Sequence, residues 1–239
     1  MKNVFIETSR VMEFREAVSV VADTRKGQPG LMLAWGLAGR GKTMAAKEYT
    51  VQSEAAIYVR VHENWTPRAM LSGICREING MQPSRVELAK QIIIEELDRS
   101  PRVILIDEAD RLMIGNIEHL RDIHDETGTP IVLIGEPSIY GRVTARRRIY
   151  ERVTRVVEFG AVKTEDVVIF GMKACDLKIA PDAAIALAKN CEGSFRLLYH
   201  IMIELERSAR ANKVKDITLE LVENLPNRRI APTPEKERR

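Results

Sequence analysis

Aromatic residues are scarce in this sequence, at 5% of 239 positions. A surface that binds nucleic acid by stacking many bases needs more of them, which argues against that mode. Cysteine is scarce too. Cys75, Cys175 and Cys191 are odd in number, widely spaced and in no metal-ligand pair, so buried thiols in a reducing compartment are expected. His62, His119, His124 and His200 share no metal-ligand spacing. No apolar run approaches the roughly 18 residues of a membrane helix. The N-terminal MKNVFIETSR lacks the apolar stretch of a secretion signal. A cytoplasmic protein without membrane contact is the expectation. There is no internal repeat and little net charge. The whole +3 lies in Asn227 to Arg239, where five Lys or Arg face two Glu, leaving the rest of the chain formally neutral. That composition predicts a basic, disordered tail over 226–239.

What remains is the composition of a globular protein, 45% hydrophobic and 30% charged, long enough for one core and a small second domain. Its organising stretch is LMLAWGLAGRGKT, residues 31–43. Leu31 to Trp35 read as a buried strand. Gly36, Gly39, Gly41, Lys42 and Thr43 then satisfy G-x-x-x-x-G-K-[ST], and Met44 onward reads as a helix to about Gln52. Strand, glycine loop and helix are the context in which backbone N–H groups and a helix N-terminus cradle phosphates. The candidate contacts for a nucleoside triphosphate are Gly36, Leu37, Ala38, Gly39, Arg40, Gly41, Lys42, Thr43 and Met44. Lys42 reaches the β- and γ-phosphates in this pattern, and the Thr43 hydroxyl holds Mg²⁺.

Around that stretch the chain alternates. An amphipathic helix is expected over 10–25, with Val11, Phe14, Val18, Val21 and Ala22 near helical spacing. A second strand is read at 56–61, then a polar loop with an exposed-looking Trp65. Thr66-Pro67 caps a helix to about Asn79. Ser84 and Glu87 form a capping box for a helix ending near Asp98. Strands follow at Val103–Ile106 and Ile131–Gly135, with a helix near Ile117–Glu126 between them, an arginine-rich helix over 138–152, and a fifth strand at Val156–Phe159. Strands alternating with helices predict an α/β fold with a mostly parallel sheet. After Gly160 only helices are read, at Thr164–Lys173, Pro181–Lys189, Ser194–Ala211 and Thr218–Leu225. The expected domains are a core over 1–160, an all-helical domain over 161–225 and the tail.

VILIDEAD, residues 103–110, supplies the second half of the site. A buried strand ending in an acidic pair brings Asp107 beside the cation held by Thr43 and leaves Glu108 to orient and deprotonate an attacking water. The loop, this box and the helical segment after them resemble the AAA+ ATPases, from Val11 to about Leu225. The resemblance implies a parallel-sheet P-loop core followed by a small helical lid, ATP and Mg²⁺ as cofactors, and ATP hydrolysis. IVLIG at 131–135 matches the sensor-1 strand, but Glu136 stands where that family usually has Asn, Thr, Ser or Gln. Gly193-Ser194-Phe195-Arg196 resembles the sensor-2 motif, which implies a γ-phosphate contact for Arg196. The arginines at 142, 146, 147, 148, 152 and 155 face one acid, Glu151. The family places an arginine finger in this region, which implies that role for Arg152, with Arg148 and Arg146 next.

IVLIGEPSIYGRV and ERVTRVVEF narrow the resemblance to the transposition-helper ATPases, typified by phage Mu B protein and IstB-like proteins. That branch implies ATP-dependent homo-oligomers, filaments on duplex DNA without sequence preference, and a transposase partner. Mu B protein carries a DNA-binding domain before its core, for which this chain has no room before Gly30. The expected phosphate contacts are Arg60, His62, Arg68, Lys90 and Arg99, and Arg228 and Arg229 in the tail. Replication initiators or helicase loaders of the same fold, ExeA-like ATPases without a nucleic-acid role, and a nucleotide-gated switch with negligible turnover are the alternatives.

Overall fold

A computed structural model describes residues 1–2, 4–23, 26–53 and 56–225. The expected tail, with Arg228 and Arg229, lies outside the described residues. The chain divides into two compact units. One contains residues 7–161 together with Ser194–Arg196; the other contains residues 1–6, 162–193 and the chain from Leu197 on. The division differs from a single cut near residue 160 at residues 1–6 and at Ser194–Arg196.

The first unit is built on five parallel strands, β1 (Leu31–Trp35), β2 (Ala56–Arg60), β3 (Val103–Asp107), β4 (Ile131–Gly135) and β5 (Val153–Glu158), in the order β2-β3-β4-β1-β5. β1, β3 and β4 are central and almost entirely buried, which is why each reads as an unbroken apolar run. Ile104, Leu105 and Ile106 pair in register with Ile131, Val132 and Leu133. β5 is an edge strand with only Val157 buried. Its apolar pattern is therefore weak, and it begins at Val153, earlier than the expected Val156. Leu31 N–H donates to the Arg152 carbonyl (2.8 Å) and a bulge follows between Leu31 and Met32.

The helices of this unit are α1 (Ser9–Ala22), α2 (Lys42–Gln52), α3 (Pro67–Asn79), α4 (Val86–Arg99), α5 (Ile114–Thr127), α6 (Pro137–Thr144) and α7 (Arg147–Tyr150). α1 buries Val11, Phe14, Val18 and Val21, and Phe14 packs against Phe159 at 5.8 Å between ring centroids. The expected capping box does not form: α4 starts only at Val86, capped by Arg85 without a side-chain bond. Ser84 is thereby one residue too early to reach the amides of the first turn. α5 begins three residues sooner than expected. The arginine-rich segment is two short helices with a break at Ala145 and Arg146 rather than one. Trp65 is half-buried, not exposed, with its ring over Gly73; a Cβ there would come within 2.9 Å of the indole.

The second unit contains α8 (Thr164–Phe170), a wider π-type turn over Gly171–Cys175, α9 (Pro181–Asn190), most of α10 (Phe195–Ala211) and α11 (Leu219–Glu223). It is not purely helical. β6 (Lys178–Ile179) and β7 (Asp216–Ile217) pair in parallel, burying Ile179 and Ile217. Two residues per strand leave no periodicity to read in a sequence. The three cysteines are buried thiols, as expected.

Thr66 accepts a hydrogen bond from Ala69 N–H (3.3 Å) at the start of α3, whereas Ser84 caps nothing. Thr66→Ala should lower stability by about 1 kcal/mol, and Ser84→Ala by much less, as read by chemical denaturation of the two variants side by side.

Candidate nucleotide site

The loop between β1 and α2 is shaped by its glycines for different reasons. Gly39 and Gly41 have φ of +78° and +94°, the left-handed region where a side chain is strained. Gly36 does not. A Cβ on Gly36 would lie 2.4 Å from the Phe159 carbonyl oxygen, so glycine is needed there to let the loop leave β1 beside the end of β5. Gly41 caps α2, whose first turn carries Lys42 and Thr43.

Lys42 is 9% exposed and donates to the carbonyls of Gly36 (2.6 Å) and Leu37 (2.9 Å). Burial pulls its ammonium below the ordinary lysine value; Glu136, Asp107, Asp110 and Glu108 oppose that shift, in that order. Thr43 Oγ1 donates to Asp107 Oδ2 at 2.8 Å, across the sequence from α2 to the end of β3. Tyr58 Oη donates to the same oxygen at 2.7 Å, and Glu108 N–H donates to Asp107 Oδ1 at 2.9 Å. Burial, and next the bond to Asp107, push the Tyr58 phenol well above its usual range, so it stays a donor at any physiological pH.

Glu108 has φ of +59° and ψ of +33°, an uncommon conformation for a residue with a side chain. Both its oxygens are engaged, Oε1 by Arg60 (3.3 Å) and Oε2 by Arg111 (3.4 Å). Asp110 fixes the end of β4: its carboxylate accepts from Glu136 N–H at 2.9 Å, and a Cβ on Gly135 would come within 2.5 Å of it. Arg142 donates to the carbonyls of Leu112 (2.6 Å) and Asp110. Ser194–Arg196 lies against the glycine loop, with Phe195 N–H donating to the Gly39 carbonyl at 2.9 Å. Arg196 is exposed there, its Cβ 3.6 Å from where a Cβ on Gly39 would stand.

Lys42, Thr43, Asp107, Glu108 and Arg196, expected from widely separated motifs, therefore come to one loop and the strand ends around it. The arginines of 142–155 do not act alike. Arg152 makes a two-point ion pair with Asp125 (3.0 and 3.2 Å), Arg147 pairs with Glu151 (2.6 Å), and Arg142 is tied to backbone. Among the described residues Arg146 and Arg148 are exposed and carry no ion pair. Of the expected DNA contacts, Arg60 sits on Glu108, His62 packs on Trp65, and Arg68 is exposed. Lys90 is bound to Asp122 and Glu126, and Arg99 to Glu96, so these two are occupied within their own helices' surroundings. Tyr58, Arg111 and Asp110 were not legible as site residues: a tyrosine inside AIYVRV reads only as a strand residue.

The donor set fits a hard divalent cation. The Thr43 hydroxyl and the Asp107 carboxylate are in contact beside the phosphate loop, and Mg²⁺ takes one or two such protein oxygens with water and phosphate for the rest. No group of three or more His, Cys, Asp or Glu suited to a metal occurs among the described residues.

A family profile described as an AAA domain matches residues 25–143, the segment from the approach to β1 through α6. Residues 25–143 of the chain are an AAA domain. A potential ATP-binding protein of Staphylococcus aureus is 30% identical over 130 residues, 51% of this chain and 48% of that protein. The Mu-like prophage FluMu DNA transposition protein B of Haemophilus influenzae is 26% identical over 180 residues, 68% of this chain and 58% of its own. The ATP-dependent target DNA activator B of Escherichia phage D108 is 25% identical over 176 residues, 68% of this chain and 54% of its own. The chain thus spans about half the length of the curated relatives it matches. Among solved structures, the Aeropyrum pernix ORC2 protein in ADPNP–ADP complexes superposes with a TM-score of 0.67 at 16% identity, covering 92% of this chain and 69% of that one, a likeness of fold.

Two outcomes follow from the charges. With four carboxylates bearing on Lys42, a triphosphate needs a cation to enter: chelating Mg²⁺ should weaken ATP binding at least about tenfold, or 1.4 kcal/mol, in a titration with a fluorescent ATP analogue. The Arg60–Glu108 pair is half-exposed and so holds weakly. Arg60→Ala should raise basal ATP turnover about two- to fivefold with nucleotide affinity unchanged; equal turnover would mean that the pair does not restrain Glu108.

Proposed function

We propose that this ATPase binds ATP with Mg²⁺, assembles with copies of itself on duplex DNA without sequence preference, and delivers that DNA to a transposase in the bacterial or phage-infected cytoplasm. The observation that carries the nucleotide chemistry is the Thr43–Asp107 bond beside Lys42, with Glu108 on the next residue. Relatives named as DNA transposition protein B and target DNA activator B support the partners. No helix among the described residues is long and apolar enough to cross a membrane.

In this reading Lys42 leaves the Gly36 and Leu37 carbonyls for the β- and γ-phosphate oxygens. The N–H groups of residues 36–44 line the phosphates, and Thr43 and Asp107 hold the cation, which neutralises phosphate charge. Glu108, once released from Arg60 and Arg111, accepts a proton from the water that attacks the γ-phosphorus as the bond to the β–γ bridging oxygen breaks. Arg196 meets the γ-phosphate from the segment packed on Gly39. A neighbouring subunit supplies an arginine from 146–152. Arg148 and Arg146 are free to do so, while Arg152 must first leave Asp125. Arg60 at the end of β2, and His62 and Arg68 after it, are the DNA phosphate contacts in this reading, with Arg60 first leaving Glu108.

Duplex DNA binding with ATP, ADP or no nucleotide, at two salt concentrations, tests the proposal. ATP-dependent binding that weakens steeply with salt, with filaments visible by electron microscopy, is the expected result. Lys42→Ala should abolish it, and Glu108→Gln should prolong it by blocking turnover. Absence of DNA binding in every nucleotide state would leave an ATPase with a different task.

A further inference from the structure

Asp107 is 1% exposed, and its carboxylate is nearly saturated. Oδ2 accepts from Thr43 and from Tyr58, and Oδ1 accepts from Glu108 N–H. An ionised carboxylate has about four acceptor positions, so a single one remains, on Oδ1. Thr43 commits its only proton to Asp107, which leaves the lone pairs of its oxygen for a cation. Of the three donors, Thr43 is itself a ligand and Glu108 N–H is adjacent backbone. Tyr58 is neither: it comes from β2, paired with Leu105 two residues before Asp107, and its ring lies under the Lys47 ammonium at 5.9 Å. Nothing in the phosphate loop or the acidic strand end requires it.

We propose that Tyr58 is a positioning residue that fixes which Asp107 oxygen faces the cation and thereby sets the affinity of the Thr43–Asp107 pair for Mg²⁺. The proposal rests on the nucleotide site described above. Without the phenol, Oδ2 loses one of its two anchors and the carboxylate turns more freely about Thr43. Mg²⁺ demands near-ideal octahedral geometry, so a loosened carboxylate holds it less well. Groups that orient metal ligands in this way typically govern 10- to 100-fold of metal affinity.

The test is Tyr58→Phe, which keeps the ring and removes one oxygen. Mn²⁺, visible by electron paramagnetic resonance, is titrated into the protein bound to a non-hydrolysable ATP analogue, and analogue affinity is measured separately in EDTA. The expected result is a Mn²⁺ dissociation constant raised about tenfold, with analogue affinity in EDTA unchanged. Asp107→Asn should also weaken Mn²⁺, and adding Tyr58→Phe to it should cost nothing further, because the two act through one bond. Unaltered Mn²⁺ affinity in Tyr58→Phe would overturn the proposal. So would a parallel loss of Mn²⁺ and analogue affinity, which marks a merely structural tyrosine. Wild-type protein that binds no analogue would instead remove the site itself.

Discussion

A carboxylate taken out of water must be compensated by donors placed before any ligand arrives. At Asp107 that requirement is met by three donors from three places: the first turn of α2, the middle of β2 and the backbone of the next residue. Much of the first unit is arranged around this need. β3 must be central so that its end is buried. β2 must neighbour it for Tyr58 to reach across, and the glycine loop must begin α2 where Thr43 faces Asp107. The same compensation leaves few acceptor positions of the Asp107 carboxylate uncommitted.

The charges around Lys42 carry the second constraint. Its ammonium is bound to two carbonyls of its own loop and lies in the field of four carboxylates. The loop is thus held in shape by its own lysine. Glu136 contributes most of the acidic neighbours to that field, which gives it an electrostatic role at a position where the AAA+ family usually keeps a neutral side chain.

The central strands and the phosphate loop were legible in the sequence because complete burial writes itself as an apolar run, and because phosphate binding restricts residue types at fixed spacing. β5 was legible only in its second half. An edge strand with one buried residue, Val157, has little pattern to offer. The Ser84 box failed for a different reason: the match was correct in composition but one residue out of register with a helix whose capping residue is Arg85. The β6–β7 pair is too short for any period. In the site, Lys42, Thr43, Asp107 and Glu108 were found by motif. Tyr58 and Arg111 were not, because each matters only through a partner that the fold brings to it. The arginine cluster was visible as composition, but its division into Arg152, bound to Asp125, and free Arg146 and Arg148 needed coordinates.

β5 joins two parts of the first unit that the sequence keeps far apart. It begins one residue after Arg152, and beyond its other end the Phe159 carbonyl stands where a Gly36 side chain would be. Six residues of extended chain span about 20 Å and stretch very little. Held in register against β1, the strand behaves as a ruler with the Asp125-bound arginine at one mark and the root of the phosphate loop at the other. A neighbouring molecule that drew Arg152 away from Asp125 would pull on the near mark, and the first atoms able to register the displacement at the far mark are those that seat Gly36.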